Sequence, residues 1–209
     1  MKVYVESNFV LEVALEQEQH EPCKELIRLA EEGAIELVMP SYALAEPHFS
    51  LVHNQRRRED LSRSLDIEAK QLQRTASLSE EVASLAGASE LLIRAGVSAR
   101  TRFSKTYSQL LNIGRFIPLT NDVLEQAPAM ANRFDIELPD ALMLASVLND
   151  ARSHPQEALF LNRNTKDFQQ PDIESELEGV QCELLGSFTA GLARVQARLR
   201  AQASAPIQT

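Results

Sequence analysis

The sequence predicts a three-layer α/β/α fold built on a central, mainly parallel sheet, with a helical subdomain inserted in its middle. Three observations carry this expectation. Short apolar runs recur at residues 2–5, 34–39, 116–119, 158–161 and 180–185. Between most of them apolar residues return at helical spacing, so right-handed strand-helix-strand crossovers and parallel pairing are the default. From about residue 54 to 113 the pattern is helical throughout and carries no strand-like run.

Composition bounds the class. A chain of 209 residues with 44% hydrophobic content is long enough for one sizeable core, expected over residues 1–200 with a mobile tail at 201–209. The formal charge of -9 speaks against a surface that coats nucleic acid, although a local basic patch remains compatible with it. Cys23 and Cys182 lack metal-ligand spacing and read as reduced, structural thiols. No signal-like segment and no bilayer-length apolar run is present, so a cytoplasmic protein without membrane attachment is expected.

Taken in order, the first strand ends abruptly in Glu6-Ser7-Asn8, which brings a carboxylate to a strand tip. C-terminal strand ends form the ligand crevice of open parallel sheets. Two helical pieces follow, the second from Pro22 to Gly33, and then the strand at 34–39 closed by Pro40. Ser41 starts a helix carrying Glu46, with a kink expected at Pro47. In the helical middle, Leu61, Leu65 and Leu72 mark one apolar face. Val82, Leu85, Ala86, Leu92 and Ile93 mark another, entered through a capping box at 77–80 and ended at Gly96, with a third helix over 98–113.

Arg94, Arg100, Arg102, Lys105 and Arg115 occur there without an intervening acid, a candidate phosphate-tracking surface, with Phe103 and Tyr107 as a possible base-stacking platform; a solvated helix face is the plainer alternative. A strand at 116–119 and a helix at 122–134 precede Asp140, which opens an almost wholly apolar helix. The strand at 158–161 opens into Asn162, Arg163, Asn164 and Asp167, and an edge strand and a helix to about Leu199 complete the pattern.

Glu6, Glu46, Asp140, Asn164 and Asp167 should therefore meet in one crevice. Converging carboxylates need a cation, and oxygen donors favour Mg²⁺ or Mn²⁺. Phosphodiester hydrolysis is the chemistry such a site suits. No Gly-rich phosphate loop and no Ser or Cys nucleophile with an adjacent base competes with it.

The order of these motifs resembles the PIN-domain ribonucleases, including the VapC-type toxins. The strand ending in Glu6-Ser7-Asn8 stands where that family has Asp-x-Asn. Glu46 follows Ala43-Leu44-Ala45, Asp140-Ala141 opens an apolar helix, and Asn162-Arg163-Asn164 leads to Asp167-Phe168. The resemblance covers residues 1–50 and 115–185 and leaves the helical middle unmatched. It implies cleavage of single-stranded RNA with Glu6, Glu46, Asp140 and Asp167 holding metal and Asn164 completing the catalytic group. It also implies an antitoxin-like partner and a homodimer. A catalytically lapsed module that binds RNA or a protein is the alternative, and a flavodoxin-like enzyme acting on a small phosphorylated compound is a remoter one.

Overall fold

Each short apolar run becomes a strand because it is too brief for a helix and is bounded by residues that cap or break. A computed structural model of the chain describes residues 1–78 and 81–204. Among them, β1 (Lys2–Val5), β2 (Glu36–Pro40), β3 (Arg115–Ile117), β4 (Ala158–Leu161) and β5 (Cys182–Leu185) form one parallel sheet in the order β3-β2-β1-β4-β5. Val3 lies opposite Leu37 on one side and Leu159 on the other, so β1 is the central strand. It is buried on both faces, as a central strand of a covered parallel sheet is, although Lys2 and Tyr4 alternate with Val3 and Val5.

The connections reverse direction at β1. α1 (Ser7–Leu15) and α2 (His20–Glu31) link β1 to β2. α3 (Tyr42–Leu72) and α4 (Ala83–Ile113) link β2 to β3. The chain then returns through α5 (Asn121–Phe134) and α6 (Leu138–Ser153) to β4, and through α7 (Thr165–Phe168) and α8 (Pro171–Glu178) to β5. Right-handed crossovers running opposite ways place these two sets on opposite faces, which gives the three layers. The closing helix α9 (Phe188–Ser204) packs on α2, while α1 packs on α4 and α5 on α6. Among the described residues no helix is long and apolar enough to cross a membrane.

The helical middle differs from its expected outline. Residue 54 falls inside α3, so this region grows out of a helix rooted at the sheet. α3 continues through Pro47, whose missing N–H deletes one hydrogen bond near the helix start. α4 likewise continues through Gly96 as one helix, where a break was expected. Gly96 is buried, and a β-carbon there would lie 3.6 Å from the Gln55 side chain. The residue serves helix contact, not helix termination.

Of the expected apolar faces Val82 is buried, whereas the leucines and Ile93 are not fully so. Leu61 and Ile93 are 48% and 43% exposed, and the α3/α4 seam instead buries Ser62, Ala69, Ser89 and Ala99, with the Ser62 and Ser89 hydroxyls 2.6 Å apart. Ser79 and Glu80 of the capping box, and the side chain of Ala86, lie outside the described residues. Residues 201–204 belong to α9 and are not tail, and residues 205–209 lie outside the description.

Candidate active site

β1 lies where the strand order reverses, and its C-terminal end faces that of β4. A crevice at this point is a geometric consequence of the topology. Glu6 follows β1 directly and serves as N-cap of α1. Its Oε2 accepts from the Asn8 N–H at 2.9 Å and from Ser7 Oγ at 3.3 Å, and its Oε1 accepts from the Arg163 N–H at 3.2 Å. One carboxylate therefore ties the β1 tip, the start of α1 and the loop after β4. Burial raises its pKa, against the lowering effect of those N–H donors.

The neighbouring groups come from three other connections. Glu46 projects, exposed, from the second turn of α3. Asp140 sits in the first turn of α6, where an acid is favoured by the helix dipole. Asn164 donates through Nδ2 to Asp140 Oδ2 at 3.0 Å, and the Asn164 backbone N–H is itself held by Asn162 Oδ1 at 2.8 Å. Asn162 is 2% exposed, so it acts as a fixed brace for this loop. Together with Glu137, Met143 and Asp167 these residues line a cleft of about 490 Å³.

The electrostatics of the cleft are one-sided. Burial pushes Asp140 up to about 6; the Asn164 hydrogen bond opposes this, and Asp167, Glu46 and Glu137 add to it. Tyr42 is raised by burial and by the charges of Glu46 and Asp140. Among the described residues none of Glu6, Glu46, Glu137, Asp140 and Asp167 has a Lys, Arg or His ion-pair partner. The guanidinium of Arg163, on the cleft wall, turns away to Glu12 and Glu18. Unrelieved repulsion among oxygen donors suits a hard divalent cation. As placed, however, no three acidic, His or Cys side chains among the described residues stand close enough to share one ion.

The five basic residues singled out in the sequence are not gathered on this cleft. Arg115 lies at the opposite, N-terminal edge of the sheet, bound to Asp150 and Glu36. Arg102 donates to the Ala14 carbonyl and pairs with Glu16, and Lys105 lines a separate surface hollow against α1 and α2. Arg94 is exposed on α4, and Arg100 bonds Gln55. Sequence proximity misled here because successive helical residues rotate by 100° and Arg115 lies beyond the helix. Conversely, Glu137 and Arg163 both line the cleft, although neither has an expected role from the sequence. Their closeness in sequence to Asp140 and Asn164 is the one signal for them.

A family model described as a PIN domain matches residues 3–168, about four-fifths of the chain, including every cleft residue named above and the helical middle. Comparison with curated proteins and with solved structures gave no significant match.

Proposed function

The chain belongs to the PIN-domain family, a nuclease-type family that generally uses divalent metals, and from that premise we propose that it is a Mg²⁺- or Mn²⁺-dependent endoribonuclease acting on single-stranded RNA. The observation that carries the proposal is Asp140, held by Asn164 and pushed up to about 6 by burial and by neighbouring carboxylates that no basic side chain neutralises. Asp140 and Glu46 would hold the ion, with Asp167 beside them. Glu6 retains one unused lone pair on Oε1 after its contact with Arg163 and would contribute through that oxygen. Glu46 is exposed, so its carboxylate can turn toward the cleft.

When bound, a divalent ion supplies Lewis acidity toward a phosphoryl oxygen and lowers the pKa of water. The protein's own part is orientation. Asn164 fixes the Asp140 carboxylate, Asn162 fixes Asn164, and Glu6 locks the loop that carries both to the β1 tip. A cleft of about 490 Å³ suits a short piece of an unpaired strand.

The test is cleavage of a labelled single-stranded RNA with Mg²⁺ or Mn²⁺, with EDTA, and with single-stranded DNA as a separate arm. Metal-dependent RNA cleavage that Asp140→Asn lowers by about 10²–10³-fold is expected; cleavage undiminished in that variant removes the assignment. The dispersed acids favour one second reading, a lapsed module that binds RNA or a protein such as an antitoxin-like partner. Calorimetric titration with Mn²⁺ separates the two, since a lapsed site takes up no ion near neutral pH.

A further inference from the structure

A second cavity, of about 410 Å³, lies between α3 and α4 and shares no lining residue with the acidic cleft. At 100° per residue its first member, His48, stands about 200° around α3 from Glu46, so the two sites open on different sides of that helix. The cavity exists because the α4 seam offers only Gly96 and Ala99 at this level, both buried. Larger apolar residues were not withheld from the helix: Leu91, Ile93 and Val97 are placed outward instead, each more than 40% exposed. The small residues Gly96 and Ala99 thus leave a recess between the two helices.

The lining combines two chemistries. His48, Phe103 and Tyr107 form a continuous aromatic run, with ring centroids 6.0 Å and 5.6 Å apart and planes tilted by 44° at both contacts. Two guanidinium groups line the same cavity: Arg100, on the α4 face that carries Phe103 and Tyr107, and Arg58 from α3. Arg58 is half-buried and has no carboxylate partner among the described residues, in a chain with a formal charge of -9. Arg100 bonds only the neutral amide of Gln55 among them. Unneutralised arginines select an anion such as phosphate, and an aromatic wall selects a flat ring. The volume falls in the range of small-molecule sites.

We propose that this cavity binds one nucleotide, with its base against Phe103 and Tyr107 and its phosphate on Arg58 and Arg100. The same chemistry is offered by a free mononucleotide and by one unpaired unit of an RNA strand. Isothermal titration of the full chain in EDTA, which keeps divalent ions out of the cleft, tests it with AMP, GMP, CMP and UMP, with a short oligoribonucleotide, and with inorganic phosphate. Arg58→Ala and Phe103→Ala should each weaken binding about tenfold, the scale of one charge-assisted or stacking contact.

Because Phe103 also packs against the core, Ser104→Trp provides an independent block from an exposed position at the cavity mouth, and should abolish binding. Asp140→Asn should bind as the wild type does, which separates this site from the cleft. Mononucleotide binding lost in these variants identifies a free nucleotide as the ligand. Binding of the oligonucleotide alone, lost in the same variants, identifies an RNA unit. The proposal is overturned if neither binds, if phosphate binds as tightly as the nucleotides, or if Arg58→Ala and Ser104→Trp bind like the wild type.

Discussion

The two edges of the same sheet hold charge in opposite ways. At the N-terminal edge Asp150 receives Lys2 Nζ at 3.2 Å, Tyr4 Oη at 2.7 Å and a two-pronged contact from Arg115 at 2.7 and 2.8 Å. Burial alone would raise its pKa, but the Arg115 and Tyr4 hydrogen bonds outweigh it and hold the carboxyl far below the usual carboxylate range. At the C-terminal edge Asp140 receives one amide and faces other acids, and its pKa rises. The first cluster is internally complete and has nothing left to bind. The second is incomplete without a cation, which is why function is sought there although the first holds the more deeply buried charges.

The largest expected effect tests the completed edge. Asp150→Ala leaves Lys2, which is 1% exposed, with the His154 carbonyl but no carboxylate, and leaves Arg115 with Glu36 alone. Removing one member of a buried ion pair costs about 3–5 kcal/mol, a large part of a domain's stability. Urea denaturation should register that loss, while any folded fraction cleaves RNA at the wild-type rate. A loss under about 1 kcal/mol would mean that the two edges do not differ as described.

At the open edge the signs invert. Asp140→Asn should lower RNA cleavage by about 10²–10³-fold, the scale of losing one preorganised electrostatic group. In the absence of divalent ions the same variant should be more stable than the wild type at pH 7. Allowing for solvent screening of a half-exposed group, the gain is about 1 kcal/mol. Thermal melts in EDTA measure it, and a destabilised variant would show that Asp140 is structural. Asn164→Ala, which removes only the group aiming Asp140, should reduce cleavage and Mn²⁺ affinity about tenfold.

Much of this contrast was legible in the sequence, and the parts that were not have identifiable causes. Glu6, Asp140 and Asn164 could be placed because each adjoins a strand tip or helix start, and parallel topology gathers such points at one edge. The Asp150 cluster was not seen, since its members lie up to 148 residues apart and only register aligns them: Lys2 pairs with Glu36 and with Ala158, at the strand starts. The long α3/α4 pair escaped because Gly96 reads locally as a helix stop. In the structure it lies inside α4, buried beside Gln55 of α3.

The smallest effect is also the one that compares both edges in a single titration. For Asp140 the folded-state pKa of about 6 lies above the ordinary aspartate value of 3.8, so the folded protein binds the proton more tightly than the unfolded chain. Its contribution to stability is fully present below the unfolded value and is lost as pH rises through about 6. Glu6, also raised by burial, acts with the same sign. For Asp150 the folded pKa is depressed, so its contribution is present above the unfolded value and is lost only as pH falls below about 4. Melting temperature in EDTA should therefore rise slightly from pH 7 to pH 5 and fall below about pH 4. Asp140→Asn should shrink the rise and leave the acid limb unchanged. Mn²⁺ should also remove the rise in the wild type, because an ion bound to the carboxylate competes with the proton. A rise that persists undiminished in Asp140→Asn would assign it to another group and break the link between the open edge and its unneutralised charge.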